Sequence, residues 1–262
     1  MPTLAVTAFF SAVAVSAGLG ARTALLAAAV LVGQMSIGWA NDYVDAGRDR
    51  VAGRADKPVA AGEISSTTVG GCAAVALAAD VPLSLALGWR PGAAHLVAVG
   101  SAWLYDVRLK ETVASALPFA LSFGLVPVII ATALPGAPLP QATLVAAAAC
   151  CGVAAHFANT VGDAADDALT GVHGLPQRLG PAAATALASG FVAVASVLLV
   201  VATDAAWPAV VAAAVGVVAA VAMPMVLRRT TGRHVAFGLV IAAVAVLVAA
   251  FVVSGGHRLV AT

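Results

Sequence analysis

Charge is what this 262-residue chain has least of: Asp, Glu, Lys and Arg together make up 10% of it, against 62% hydrophobic types. A soluble domain carries about 25% charged residues. A globule of this size could not cover itself with polar surface, which excludes an ordinary cytosolic domain and a disordered chain. The net charge of +1 gives no general attraction to a polyanion, which excludes a nucleic-acid binder. Cysteine is scarce too. Cys72, Cys150 and Cys151 fall inside apolar runs with no CxxC or Cys/His ligand spacing. They read as free buried thiols. A basic segment ahead of the first apolar run is also missing, so the start does not read as a cleaved signal peptide.

What the chain does have is long apolar runs, with a mean hydropathy of +1.03. A membrane span needs roughly 20 apolar residues. Runs bounded by Gly, Pro or charge predict nine spans, near 3–19, 22–41, 66–87, 92–107, 113–133, 141–160, 181–202, 206–227 and 234–254. The runs are continuous rather than alternating, which predicts helices and not a barrel. The spans are almost free of charge, with Asp80 and Asp106 near their ends. The expected fold is all-α and polytopic: nine transmembrane helices in one domain over 1–262, as two pseudo-repeated halves around a central cavity.

Basic residues orient such a chain. Ten of them, Arg48, Arg50, Arg54, Lys57, Arg108, Lys110, Arg178, Arg228, Arg229 and Arg233, fall in loops on the N-terminal side, against Arg22, Arg90 and Arg258 opposite. This places the N-terminus in the cytoplasm, the C-terminus outside, and the protein in the cell membrane. All the acids except Asp80 and Asp204 fall on that same cytoplasmic side. Anchoring spans needs bases, not acids, so the acids call for another explanation.

Two loops supply it. One begins Asn41-Asp42-Tyr43-Val44-Asp45 and continues to Asp49-Arg50; the other runs from Asn159-Thr160 through Asp163 to Asp166-Asp167. A shift of 118 superposes Asn41 on Asn159, Asp45 on Asp163, Asp49 on Asp167, Gly53 on Gly171, Pro58 on Pro176 and Gly62 on Gly180. Four predicted spans separate the copies, so both emerge on one side, facing one pocket. On a continuing helix at about 100° per residue, Asn41, Asp45, Asp49 and Asp42 fall at roughly 0°, 40°, 80° and 100°. The second copy repeats the first three angles. Carboxylates gathered at a membrane boundary need counter-charge to stay ionised. Magnesium suits them, being hard and commonly held by a few carboxylates plus substrate phosphates. Arg50, Arg54, Lys57, Lys110 and Arg178 are the cations available to a diphosphate.

At these residues the chain resembles the UbiA-type intramembrane prenyltransferases, of the 4-hydroxybenzoate polyprenyltransferase-like kind. NDYVDAGRDR fits that superfamily's NDxxDxxxDR signature at every defined position, and Lys57-Pro58, Gly62 and Ser65 match its tail. NTVGDAADDALTGVHGLPQRLG resembles NDxxDxxxDxxxGxxTLPxxLG, and YDVRLKET, with Tyr105 and Lys110, resembles the basic loop after the fourth span. Three departures stand out. Thr160 replaces the second motif's first Asp, leaving that contact missing or filled by Asp166, a hydroxyl or water. Gly174 replaces a Thr. The segment before the first helix is reduced to Met1-Pro2.

The resemblance implies magnesium-dependent transfer of an isoprenoid chain from a prenyl diphosphate to an acceptor, commonly aromatic, as in quinone or prenyl-lipid synthesis. On that reading Asp42, Asp45, Asp49, Asp163 and Asp167 bind magnesium, with Asn41 and Asn159 in support. Arg50, Lys57 and Lys110 hold the diphosphate, with Arg54 and Arg178 as second choices. Tyr105 shapes the pocket or is an interface tyrosine; His156 faces the cavity or is a packed polar residue. Trp39 and Trp103 read as belt residues. A non-catalytic member of the fold, handling lipid or assisting assembly, is the alternative. A transporter would place ionisable groups near the membrane midplane.

Overall fold

Inside lipid only a helix satisfies every backbone polar group locally, and the apolar runs form helices accordingly. The computed structural model describes residues 2–55, 57–227 and 235–260, the side chains of 2, 164–166 and 227 excepted. Met1, Arg228, Arg229, Arg233 and the side chain of Asp166 lie outside the described residues. The helices are α1 (Pro2–Ser16), α2 (Arg22–Val51), α3 (Ser66–Ala86), α4 (Trp89–Val107), α5 (Leu117–Ala133), α6 (Ala142–Thr170), α7 (Leu175–Leu179), α8 (Pro181–Ala202), α9 (Trp207–Leu227) and α10 (Val235–Ser254). A 3-10 turn, Leu109–Glu111, joins α4 to α5, and another, Gly256–Leu259, follows α10. Among the described residues six helices, α2, α3, α6, α8, α9 and α10, are long and apolar enough to cross a membrane; α1 and α5 are apolar but shorter.

α2 and α6 are the longest, at 30 and 29 residues. Both run about ten residues past the expected span ends at 41 and 160. No proline falls between Asn41 and Val51 or between Asn159 and Thr170, so the helical hydrogen bonding continues through both acidic stretches. Each helix stops at a glycine with positive φ, Gly53 at 68° and Gly171 at 74°. That conformation is open to glycine at no steric cost and ends the hydrogen-bond ladder. The motifs therefore lie on rigid helix, and their side chains keep the predicted angular spacing.

The opposite end of the bundle is tied by arginine. The guanidinium of Arg22 donates to the carbonyls of Leu87 and Ala133, beside the C-termini of α3 and α5. Arg258 donates to the Thr203 carbonyl and lies 3.5 Å from Asp204. Cations suit helix-end carbonyls on both hydrogen-bonding and dipole grounds.

Two expectations need correction. The spans are less free of polar groups than the sequence suggests. Asp80 is wholly buried six residues inside the end of α3, about 9 Å along the axis. Ser84 Oγ donates to Asp80 Oδ1 at 3.0 Å, and His95 Nδ1 of α4 lies 2.8 Å from Ser84 Oγ. Burial of such groups requires partners; Ser84, one turn further along α3, supplies one to Oδ1, while Oδ2 has none among the described residues. The cysteines are free, but Cys72 is exposed on the outer face of α3 and only Cys151 is fully buried.

α5, α6, α8 and α10 pack around an apolar core that includes Ile129, Ile130, Ala195 and Leu247. Lipid tails are as apolar as leucine, so close packing rather than hydrophobic burial holds these helices together. The core encloses an apolar cavity of about 90 Å³, lined by Phe9, Phe123, Pro127, Cys151, Leu199 and Phe251 among others.

Candidate active site

The two acidic helix ends open on one cavity of about 250 Å³. α2 contributes Asn41, Asp45, Arg48 and Asp49 to it; α6 contributes Asn159, Thr160, Asp163 and Asp167. Arg54, Lys57, Tyr105, Lys110, Phe119 and Gln177 complete its polar and aromatic walls. Ten of the thirteen residues singled out from the sequence therefore face one space. Asp42 stands just outside the lining and joins it through Lys57. Arg50 and Arg178 are not brought in. Both are exposed, Arg50 at the last turn of α2 and Arg178 on α7 with its Nε donating to the His173 carbonyl at 2.7 Å.

Each motif binds itself in the same way. Asn41 Nδ2 donates to Asp45 Oδ2 at 3.0 Å, and Asn159 Nδ2 donates to Asp163 Oδ2 at 3.3 Å. The four-residue spacing makes this geometry available on any helix. The surroundings then differ. Asn41 Nδ2 also donates to Asp106 Oδ1 at 3.1 Å, and Asn41 Oδ1 accepts from Lys57 Nζ at 3.3 Å. Asp106 is buried at the end of α4, and its Oδ2 has no hydrogen-bond partner among the described residues. Thr160, in the second motif, donates its hydroxyl to the carbonyls of His156 and Phe157, both at 3.0 Å. It supplies no anion to the cavity.

The cations are positioned by loop packing. After Gly53 the chain folds back, and Val59 buries against Ala46 and Val69. That anchor holds Lys57 over α2, with Nζ 3.2 Å from Asp42 Oδ1 and 3.0 Å from Asp49 Oδ2. Burial alone would lower the Lys57 pKa. The hydrogen bond and charge of Asp49, and then those of Asp42, outweigh it and raise the pKa above 10.5. Lys110, buried in the turn after α4, contacts Asp45 Oδ1, which Arg48 Nη1 also reaches at 3.2 Å. Arg48 bridges on to Glu111. Gly174 fixes this turn from the other side. A Cβ there would lie 2.4 Å from the Lys110 carbonyl oxygen, so only glycine lets the second loop come this close. The Leu175 backbone N–H donates to Ser115 Oγ at 3.1 Å, and Gln177 Nε2 donates to Asp167 Oδ2 at 2.7 Å.

The floor is aromatic. Tyr105 meets Phe119 edge-on at 5.0 Å between ring centroids, and His156 lies behind both rings. His156 is the packed alternative: it is buried, with Nε2 3.0 Å from Ser115 Oγ. Tyr105 takes the pocket alternative. Trp103 is no simple belt residue, since its indole N–H donates to Ser36 Oγ at 3.2 Å.

Arg48, Asp106 and Gln177 were not singled out from the sequence. Arg48 carried a signal: seven residues beyond Asn41, it falls at about −20° on the same helical wheel. Gln177 reaches the cavity only through the turn of the chain at Gly171–Gly174, which no periodicity reports.

Among the described residues no three His, Cys, Asp or Glu side chains stand close enough to hold a metal by themselves. Magnesium does not require that, since it usually keeps several waters and takes one or two carboxylates plus substrate phosphates. Asp45 and Asp49 on one wall and Asp163 and Asp167 on another form an all-oxygen donor set of that kind. The donor chemistry fits a cation shared with a phosphate group.

Solved structures share this fold. A UbiA homolog from Archaeoglobus fulgidus bound to GPP and Mg2+ is 19% identical, with a TM-score of 0.74 over 98% of this chain and 96% of that one. An apo UbiA homolog from Aeropyrum pernix K1 is 22% identical, with a TM-score of 0.75 over 94% and 97%. A structure concerning digeranylgeranylglyceryl phosphate synthase is 16% identical, with a TM-score of 0.68 over 97% and 93%. No functionally curated protein matches the chain in sequence. The family model that matches spans residues 1–236, nearly the whole chain, and the protein is accordingly a multi-pass membrane member of the UbiA prenyltransferase family.

Proposed function

We propose that this protein transfers an isoprenoid group from a prenyl diphosphate to an acceptor within the membrane, with magnesium as cofactor. One observation carries the reading: two Asn-xxx-Asp-xxx-Asp helix ends share a single cavity with Lys57 and Lys110. Isoprenoid diphosphate ligands, GPP and DMAPP, with Mg2+ in the Archaeoglobus fulgidus homolog, support it.

Asp45, Asp49, Asp163 and Asp167 would hold magnesium, with Asp42 beside them and Asn41 and Asn159 fixing their carboxylates. Bound there, magnesium supplies charge stabilisation to a diphosphate leaving group. Lys57, Lys110, Arg48 and Arg54 present N–H donors to the non-bridging phosphate oxygens. Preorganised charge of this kind commonly contributes more to catalysis than any other single effect. Tyr105 and Phe119 wall the polar cavity, and aromatic rings there would stabilise the carbon that becomes electron-deficient as the diphosphate departs. They also exclude water that would capture that carbon. The apolar cavity is lined by Phe123, one helical turn further along α5, and each prenyl CH₂ moved there from water contributes roughly 0.8 kcal/mol. An aromatic acceptor, of the kind used in quinone and prenyl-lipid synthesis, suits this wall. We take every described helix except the five-residue α7 as a membrane crossing, in two repeated halves, with the N-terminus and both acidic helix ends cytoplasmic and the protein in the cell membrane.

The test is product analysis. Membranes containing the protein are incubated with magnesium, prenyl diphosphates of several lengths and mixed acceptors, and lipid extracts are read by mass spectrometry. A prenylated acceptor is expected, with loss of at least ~100-fold in Asp45→Ala and in Asp163→Ala. Full turnover in both variants would falsify the assignment. The side chain of Thr160, spent on its own helix, favours the non-catalytic alternative as second reading. Absence of product from every pair, with diphosphate still bound, would establish it.

A further inference from the structure

Every carboxylate of the first motif already has a cation seated on it. Lys57 Nζ has three N–H donors, and its three partners are Asp42, Asp49 and the Asn41 amide oxygen. Asp45 Oδ1 takes both Lys110 and Arg48. One oxygen of each carboxylate that a divalent ion would use on this wall is thus held by an ammonium or guanidinium group. Both lysines are held by flexible four-carbon stems, and a phosphate group would offer each of them new oxygen partners. Arg48, by contrast, is tied to Glu111.

We infer that Lys57 and Lys110 are tethered competitors for the metal: magnesium occupies the first motif only when a diphosphate draws the two ammonium groups off the carboxylates. This rests on the prenyl-diphosphate reading and adds an order to it. Magnesium alone binds weakly, because it must approach beside fixed positive charge. With diphosphate present the lysines change partners, the carboxylates become free, and both ligands bind tightly. The coupling is reciprocal, so magnesium raises diphosphate affinity by the factor that diphosphate raises magnesium affinity.

The experiment titrates the full chain in detergent micelles with magnesium alone and with geranyl diphosphate plus magnesium, by calorimetry and by thermal shift. Lys57→Gln is expected to bind magnesium alone about tenfold tighter than wild type or more, the low end for removing a unit charge a few ångströms away. Lys110→Gln should do the same independently, which covers failure of either variant to fold. Lys57→Arg keeps the charge and should stay weak. Coupling between magnesium and geranyl diphosphate should shrink in both glutamine variants. If they bind magnesium alone no tighter than wild type, the inference is overturned, even where geranyl diphosphate binding is normal. If magnesium binding tightens while no protein binds geranyl diphosphate, the competition stands and the prenyl-diphosphate reading falls.

Discussion

Asn41 and Asn159 are equivalent in the sequence repeat, yet the structure makes them unequal, and replacing each with alanine measures the difference. Asn41 donates to Asp45 and Asp106 and accepts from Lys57. In Asn41→Ala, Asp45 and Lys57 face the cavity and can recruit water. Asp106 cannot: it is 4% exposed, and Oδ2 already lacks a partner. Losing the bond to Oδ1 leaves that carboxyl without its donor, a cost of about 2–3 kcal/mol for a buried group of this kind. Asn159 makes a 3.3 Å bond to Asp163, which faces the cavity, so Asn159→Ala should cost less than about 1 kcal/mol. Reversible unfolding across a denaturant series, followed by tryptophan fluorescence, reads both. Asn41→Asp should be worse than Asn41→Ala, because it adds a carboxylate between two others. Equal destabilisation by the two alanine variants would refute the role given to Asp106.

Further outcomes follow from single contacts. Gly174→Ala drives a methyl against the Lys110 carbonyl and should cost about 1–3 kcal/mol, with weaker diphosphate binding as Lys110 shifts; unchanged affinity would mean the turn is not seated by this contact. Thr160→Val should leave magnesium dependence unchanged, because the hydroxyl serves only backbone carbonyls of its own helix; a changed metal requirement would make Thr160 a ligand. The raised pKa of Lys57 gives a sign for pH dependence. Stability from its pairing with Asp49 and Asp42 is fully present below the ordinary lysine value and lost as pH rises through the higher folded value. Thermal melts of wild type should therefore fall in that alkaline window more steeply than those of Lys57→Gln, and parallel curves would contradict the pairing.

The helices were legible because an apolar run of span length has few other solutions in lipid. The acidic faces were legible because helical angles follow from spacing alone, and α2 and α6 continue as helix through both motifs. Arg48 shares the face on α2, but its charge sets it apart from the oxygen-bearing Asn and Asp side chains that mark the motif. Asp106 and Gln177 were hidden for a different reason: their places depend on how α4 meets α2 and on the turn beyond Gly171. Arg50 shows the converse. It has the right charge and adjoins Asp49, but one residue along a helix is about 100° around it, which turns it to solvent. Asp80 has His95 of α4 3.6 Å away, and composition does not reveal a contact across a helix interface.

The most direct measurement is a structure of the protein with manganese and a non-reactive prenyl thiodiphosphate, using manganese anomalous scattering to locate the metal. The account predicts metal peaks between the Asp45–Asp49 and Asp163–Asp167 pairs, bridged by the diphosphate, with the Lys57 and Lys110 ammonium groups on phosphate oxygens. Metal and diphosphate bound elsewhere, or the two acidic helix ends gripping separate ligands, would contradict it.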